Sequence, residues 1–167
     1  KDKRLTLLLT GAAGGGKSRL AAEKLHAYLL KYPGATGLMM RKTRQSMTNS
    51  TVLFFERAIV AGDKSVRHYP SKLRFEYANG SILAYGGMAD EEQKQQIRSI
   101  GQDGSVDVVW MEEANLFTED DYNEVMARMR GKVAPWRQVM LSTNPDRPTH
   151  WIKRRLIDGQ QAAVYYS

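Results

Sequence analysis

The residues that decide the fold are Leu5-Thr6-Leu7-Leu8-Leu9-Thr10 followed by Gly11-Ala12-Ala13-Gly14-Gly15-Gly16-Lys17-Ser18. The first six form an apolar run that is typical of a strand buried on both faces. After the glycines, apolar residues recur at helical spacing, which predicts a helix from Lys17 to about Lys31, and Pro33-Gly34 ends the pattern. The sequence therefore predicts a strand, a glycine-rich loop and a helix in direct succession.

The glycine-rich loop matches the pattern G-x-x-x-x-G-K-[ST] at every fixed position. Its small residues let backbone N–H groups wrap a phosphate chain, and the positive end of the following helix points at the anion. We expect Lys17 to reach the β- and γ-phosphates and Ser18 to ligate Mg²⁺. A glycine-rich turn without a ligand is the alternative, which the strand and helix on either side disfavour. The predicted nucleotide-binding residues are Gly11, Ala12, Ala13, Gly14, Gly15, Gly16, Lys17 and Ser18.

Two acidic residues follow another apolar run, Val106-Asp107-Val108-Val109-Trp110-Met111-Glu112-Glu113. An acid at the end of a buried strand is the partner that a nucleotide-hydrolysing phosphate loop requires. We expect Glu112 to hold Mg²⁺ directly or through water, and Glu113 to orient or deprotonate the attacking water. An isolated acid pair is more commonly solvated loop, and the phosphate loop favours the catalytic interpretation here.

A third polar segment ends the next predicted strand, in Leu141-Ser142-Thr143-Asn144-Pro145. Ligands of open α/β folds bind at the carboxyl ends of the strands, where these side chains are expected to lie. Asn144 is predicted to sense the γ-phosphate or the attacking water through its amide. Ordinary turn chemistry at Asn-Pro is the alternative.

The remaining chain alternates predicted strands and helices, which indicates a parallel α/β sheet with right-handed crossovers. Three short strands interrupt this alternation, two of them joined across Asn79-Gly80, a strong hairpin signal. We expect one domain over residues 1–167, with a central, mostly parallel sheet, flanking helices and an antiparallel hairpin insertion around residues 66–86. The other predicted strands are 36–40, 106–111, 138–142 and 163–166, and the other helices are 50–60, 90–97, 118–130 and 149–157.

The composition of the chain limits the classes of partner and of chemistry that it can have. The chain has 25 Lys and Arg against 18 Asp and Glu, a formal charge of +7, and no Cys. The charge favours a polyanionic partner, and the absence of Cys excludes disulfides and thiolate chemistry. No apolar run approaches the ~18 residues that span a bilayer, and the three His lack ligand spacing. Arg41, Lys42, Arg44 and the cluster Lys153-Arg154-Arg155 are candidates for nucleic-acid phosphates or for plain solvated surface.

These three motifs together, residues 11–18, 108–115 and 141–145, resemble the ATPase domain of the large terminase subunit of tailed double-stranded DNA bacteriophages. The resemblance covers nearly the whole chain and implies a P-loop NTPase of the ASCE, RecA-like type. It implies ATP and Mg²⁺ as cofactors, Lys17 and Glu113 as catalytic residues, and Ser142, Thr143 and Asn144 as the segment that couples hydrolysis to motion.

The resemblance also implies partners: double-stranded DNA, the portal of the procapsid, the small terminase subunit and further copies in a ring, all in the host cytoplasm. In such rings a neighbouring subunit donates an arginine to the γ-phosphate. Arg98 lies in the segment where we expect that arginine, although it is equally compatible with a cation at a helix C-terminus.

This sequence departs from the family pattern at three points. Glu112 stands where many relatives have Asp, and Ala12 and Ala13 stand in a loop where many have Arg. The C-terminal nuclease domain of the family is absent from the 167 residues, so we expect no DNA cleavage. The alternatives are a helicase-like or other remodelling ATPase, a small-molecule phosphotransferase, and a nucleotide-binding assembly module without hydrolysis.

Overall fold

Eight strands form one sheet in the computed structural model, which describes residues 4–166 apart from the side chain of Gln102. The order across the sheet is β3-β4-β5-β2-β6-β7-β1-β8. Every neighbouring pair from β5 to β8 is parallel, and only β3-β4 and β4-β5 are antiparallel. The strands are β1 (Thr6–Thr10), β2 (Thr36–Met40), β3 (Val66–Tyr69), β4 (Arg74–Tyr77), β5 (Ile82–Gly86), β6 (Val108–Glu112), β7 (Gln138–Thr143) and β8 (Ala163–Tyr166).

The predicted hairpin insertion is confirmed, with one refinement. β4 and β5 join across Asn79-Gly80, where Gly80 has φ 86° and the Asn79 amide donates to the Leu29 carbonyl at 2.9 Å. β5, however, also pairs in parallel with β2. The antiparallel addition is therefore β3 and β4 alone, and β5 belongs to the parallel sheet.

Five helical segments cover the two faces of the sheet. The sequence predicts that the second starts at residue 50, whereas it begins at Arg44, because Thr43 caps it by accepting from the Ser46 N–H at 3.1 Å. That cap precedes a polar first turn that carries no apolar periodicity. The segments are α1 (Lys17–Lys31), α2 (Arg44–Ser46 with the π-helical turns Met47–Val52 and Phe55–Ile59), α3 (Glu91–Arg98), α4 (Glu119–Arg128) and α5 (the π-helical Ile152–Asp158).

The sheet separates two hydrophobic cores. Leu7 and Leu9 of β1 face the core shared with α1 and α2, whereas Leu8 faces the core shared with α3, α4 and α5. All three side chains are buried, so β1 is apolar on both faces as the sequence predicted. Burial on both sides fixes the level at which β1 ends, and with it the position of the glycine-rich loop.

The carboxyl ends of the six neighbouring parallel strands β5, β2, β6, β7, β1 and β8 lie at one edge of the sheet. The loops after β1, β2, β6 and β7 therefore meet there, which is where open α/β sheets bind ligands. Within residues 4–166, no helix has the length and apolar character needed to cross a membrane.

Candidate functional site

The glycine-rich loop lies between β1 and α1 and turns through left-handed backbone. Gly14 and Gly16 have φ of 81° and 78°, in the left-handed region that favours glycine. Gly16 also caps α1, and its carbonyl accepts from the Leu20 N–H at 2.9 Å. Two left-handed residues turn the chain sharply from β1 into α1, so the first N–H groups of α1 open on the loop side.

Lys17 begins α1 and lies largely within the loop, with 9% of its surface exposed. Its Nζ donates to the carbonyls of Gly11 at 3.0 Å and Ala12 at 2.5 Å. An ammonium held over backbone carbonyls by so few contacts can turn toward a phosphate, which would offer it charged acceptors. Lys17 therefore lies against the loop, and its contact with phosphate stays a prediction.

A cavity of about 500 Å³ opens beside the loop and contains most of the predicted site. Residues from four elements line it: the loop and the start of α1, the α2 side chain Phe54, the end of β6, and the end of β7. The structure thus brings together three motifs that are separated in sequence. Lining residues include Ala13, Gly14, Gly15, Gly16, Lys17, Ser18, Glu112, Glu113, Ser142, Thr143 and Asn144.

The two carboxylates at the end of β6 face different surroundings. Glu112 is the last residue of the strand and its side chain is 15% exposed, whereas the Glu113 side chain is 48% exposed. Glu113 also adopts φ 52° and ψ 50°, a left-handed conformation that costs a residue with a Cβ about 1 to 2 kcal/mol. Strain of this kind clusters at functional sites.

Arg41 contacts both carboxylates, which sequence reasoning missed. Its Nη2 forms an ion pair with Glu113 Oε1, and its Nε lies 3.9 Å from Glu112 Oε2. A hydrogen bond of 3.2 Å from Nη1 to the Ser46 carbonyl ties the guanidinium to α2. The signal available in the sequence was its position directly after β2, at the edge where β6 also ends.

Thr51 is the second functional candidate that the sequence did not reveal. It lies on α2, is 1% exposed, and donates its hydroxyl hydrogen to Glu112 Oε2. Its partner is 61 residues away in the chain, and a threonine within a helix carries no motif. Only the packing of α2 against the end of β6 brings the two side chains together.

The oxygens of Glu112 and Ser18 suit Mg²⁺, which prefers hard oxygen ligands and keeps several waters. Thr51 uses Glu112 Oε2, while Oε1 has no hydrogen-bond partner among the described residues. Both Glu112 and Ser18 line the cavity. Residues 4–166 contain no group of three or more His, Cys, Asp or Glu that could hold a metal by themselves. The set therefore fits a cation that also takes phosphate oxygens and water.

The polar residues of β7 connect the site to its neighbouring elements. Ser142 Oγ accepts from Trp110 Nε1 at 2.8 Å, which joins β7 to β6 within the core. Thr143 Oγ1 donates to Asn115 Oδ1 at 3.0 Å, just after the carboxylates. Asn144 is exposed on the cavity wall. Residues 142–144 thus form a path between the cavity and the strands behind it.

Arg98 is engaged within its own chain. It is the last residue of α3, and its guanidinium pairs with Glu91 and, at 2.6 Å, with Glu124 of α4. These two carboxylates raise its pKa. It is not among the residues that line the phosphate-loop cavity, and its role on a neighbouring subunit stays a prediction.

The basic residues predicted to contact DNA mostly have acidic partners here. Arg41 belongs to the carboxylate pair, and Lys42 Nζ lies 2.5 Å from buried Asp121. Burial acts to raise the pKa of Asp121, but hydrogen bonds from Lys42 and Thr118 lower it overall.

The other basic candidates lie on the surface, where Arg44 has a side chain that is 41% exposed beside Glu92. Lys153, Arg154 and Arg155 pair with Asp158 and Glu119. Contact with DNA stays a prediction for all of them.

Solved structures with a similar fold include phage large terminases and a phage DNA packaging ATPase. The large terminase from a thermophilic bacteriophage has a TM-score of 0.80 at 16% identity, covering 98% of this chain and 40% of that one. The same terminase in complex with ATP-gamma-S has a TM-score of 0.76 at 15% identity, and the match covers 99% of this chain and 39% of the terminase. The N-terminal domain of the DNA packaging ATPase from bacteriophage phi29 has a TM-score of 0.65 at 13% identity, and the match covers 96% of this chain and 82% of that domain.

The chain thus spans about 40% of the length of the thermophilic phage terminase. No curated protein sequence matches it. A family model does: the model of the phage terminase large subunit matches residues 3–167. The fold is that of a P-loop NTPase, as the sequence predicted, and the chain belongs to the phage terminase large subunit family.

Proposed function

We propose that this chain hydrolyses ATP with Mg²⁺ and that hydrolysis drives translocation of double-stranded DNA into a procapsid. The observation that carries the proposal is the single cavity that brings the phosphate loop, Glu112, Glu113 and Asn144 together. Backbone donors for phosphate, a metal carboxylate and a second carboxylate for water are the parts that phosphoryl transfer requires. Family membership adds DNA packaging as the purpose.

In the proposed reaction the loop amides and Lys17 bind the phosphate chain, and Ser18 and Glu112 would hold Mg²⁺. The metal, when bound, neutralises charge that develops on the phosphate oxygens. Glu113 orients a water molecule and accepts its proton as the water oxygen bonds to the γ-phosphorus. The bond between that phosphorus and the β–γ bridging oxygen breaks, and ADP and phosphate leave.

Coupling to motion is proposed to start at Asn144, which lies on the cavity wall at the end of β7. Loss of the γ-phosphate changes what the Asn144 amide contacts, and Thr143 and Ser142 connect that change to Asn115 and Trp110.

We further propose a ring of such subunits in the host cytoplasm, with Arg98 supplied to a neighbouring site and with the portal and small terminase subunit as partners. We expect the specific ATPase activity to rise with protein concentration, and Arg98→Ala to abolish that rise.

The test is phosphate release from ATP by the wild type, Glu113→Gln and the surface control Glu23→Gln, with Mg²⁺ and with or without double-stranded DNA. We expect Glu113→Gln to lower hydrolysis by about 10² to 10⁴-fold and to keep ATP binding, and Glu23→Gln to match the wild type. Hydrolysis by Glu113→Gln at the wild-type rate would contradict the proposed catalytic role. ATP turnover with no effect of DNA on it would favour an ATPase with another task.

A further inference from the structure

The turn that follows Glu113 starts from a strained backbone. Glu113 has φ 52° and ψ 50°, and Ala114–Leu116 form a single 3₁₀ turn directly after it. Within the turn, the Leu116 N–H donates to the Glu113 carbonyl at 2.9 Å. A left-handed residue with a Cβ persists where the surrounding structure over-determines it. The contacts that hold this turn from other elements therefore bear on where the Glu113 carboxylate lies.

Asn115, the middle residue of the turn, bonds the segment between β7 and α5. Its Oδ1 accepts from the Thr143 hydroxyl at 3.0 Å, and its backbone carbonyl lies 3.0 Å from His150 Nε2. The pKa of Asp146 is lowered chiefly by the backbone N–H of Arg147, and the Asn115 side chain contributes a further hydrogen bond to that carboxylate. One residue of the turn is thus fixed at three points along a segment that is distant in sequence.

His150 uses both of its ring nitrogens in this contact. The Asn115 carbonyl can only accept at Nε2, and the Ile152 N–H, 3.3 Å away, can only donate to Nδ1. The two bonds together fit the tautomer that carries its hydrogen on Nε2. Beside it, the buried Trp151 donates from Nε1 to the Phe117 carbonyl at 2.7 Å. The two residues before α5 therefore contact the middle and the end of the turn.

The two residues that bond to each other here differ in their access to a nucleotide. Asn115 lines the phosphate-loop cavity, so a direct contact with the nucleotide is the alternative role for its side chain. His150 is not among the residues that line that cavity. It lines a neighbouring cavity of about 280 Å³, on the far side of Asn115. An effect of His150 on hydrolysis would therefore pass through the turn and not through a lost contact with phosphate.

We propose that Asn115 and His150 are positioning residues for Glu113, and that they hold the turn which keeps its backbone left-handed. This inference rests on the proposed function, since it takes Glu113 to be the base that activates water. Neither residue exchanges a proton with the substrate. Their hydrogen bonds place the carboxylate, and a small displacement of a general base costs much of its effect on rate.

The first test measures single-turnover hydrolysis of ATP with Mg²⁺, together with ATP affinity, in the wild type, His150→Ala, His150→Gln and Thr149→Ala. We expect His150→Ala to lower the rate about tenfold and to leave ATP affinity within about twofold of the wild type. His150→Gln should retain the wild-type rate, because its amide nitrogen stands as many bonds from Cα as the imidazole Nε2 and can donate to the same carbonyl. Thr149→Ala, at the exposed neighbouring position, is the control and should match the wild type.

The second test asks whether the effect passes through Glu113. Asn115→Ala removes the side-chain bonds to Thr143 and Asp146 and should also lower the rate about tenfold. Residues that act as a unit have non-additive effects. Adding His150→Ala or Asn115→Ala to Glu113→Gln should therefore lower single-turnover hydrolysis no further than Glu113→Gln alone. Circular dichroism of each variant verifies the fold.

Several results would overturn the inference. A wild-type rate in His150→Ala removes the positioning role while the proposed ATPase stands. A rate in His150→Gln as low as that in His150→Ala assigns the effect to packing of the ring and not to its hydrogen bond. A further loss in the Glu113→Gln background assigns the effect to another route. A wild-type rate in Glu113→Gln itself contradicts both this inference and the proposed catalytic role.

Discussion

The phosphate-loop side of the site is built from backbone, and the carboxylate side is built from side chains of separate elements. On the loop side, two left-handed glycines and the N–H groups that open α1 are all set within residues 11–18. On the carboxylate side, Glu112 and Glu113 from β6 contact Thr51 from α2 and Arg41 from the end of β2. The first region is local in sequence, whereas the second exists only after the sheet has formed.

This difference predicts how each side responds to substitution. A change in the loop would remove the proposed contacts with phosphate and should affect nucleotide binding. A change on the carboxylate side disturbs the positions of two carboxylates and should affect turnover or the metal requirement. The variants below are ordered from the largest expected effect to the smallest.

Lys17→Ala tests the loop side. The variant loses the charged group that we expect to reach the phosphates, so ATP hydrolysis should fall by about 10² to 10³-fold, as for other lost electrostatic contacts to the transition state. ATP binding should weaken in the same variant. Lys31→Ala, an exposed lysine at the other end of α1, is the control and should match the wild type. Equal hydrolysis by the two variants would contradict the assignment of Lys17.

Arg41→Gln tests the carboxylate side. Without the guanidinium, Glu113 loses its ion pair and the two carboxylates lose the cation between them. We expect kcat to fall about tenfold or more, because a misplaced general base loses much of its contribution, while the affinity for ATP stays close to that of the wild type. Arg57→Gln, at an exposed position on α2, is the control. A loss of ATP affinity without a loss of kcat would move Arg41 to the binding side.

Thr51→Val separates metal binding from the remaining carboxylate contacts. The substitution keeps the shape of a buried side chain but removes the hydroxyl that bonds Glu112. Partners of a metal ligand typically change metal affinity by 10 to 100-fold, so we expect the Mg²⁺ concentration for half-maximal nucleotide binding to rise about tenfold. Thr51→Ser should restore it. The same Mg²⁺ requirement in all three proteins would show that Thr51 only packs.

Asp121→Asn tests the ion pair between Asp121 and Lys42, the residue that follows Arg41 in the chain. Loss of the charged hydrogen bond should lower the free energy of unfolding at pH 7 by about 2 kcal/mol. The pKa of Asp121 is lowered on folding, so its contribution is full above the unfolded pKa, about 3.9, and declines as the pH falls through the folded pKa. Urea denaturation should show the difference shrinking below about pH 4. Exposed Asp120→Asn is the control.

The same contrast explains what the sequence could predict. The loop and α1 were predictable, because each depends on residues within a few positions of one another. The partners of Glu112 and Glu113 were not, because Thr51 and Arg41 approach them through sheet order and helix packing. Along the chain Arg41 is one of three cations that follow a strand, so the sequence suggests that it contacts DNA. Its position beside the two carboxylates becomes visible only when β2 is paired with β6 in the sheet.

The left-handed backbone of Glu113 has a consequence for how this site can evolve. Glycine is the residue that this conformation favours, so Glu113→Gly would relieve strain of about 1 to 2 kcal/mol. The same replacement would remove the proposed catalytic base. Stability alone therefore favours glycine at this position, so the proposed role of Glu113 in turnover would come at a cost in stability.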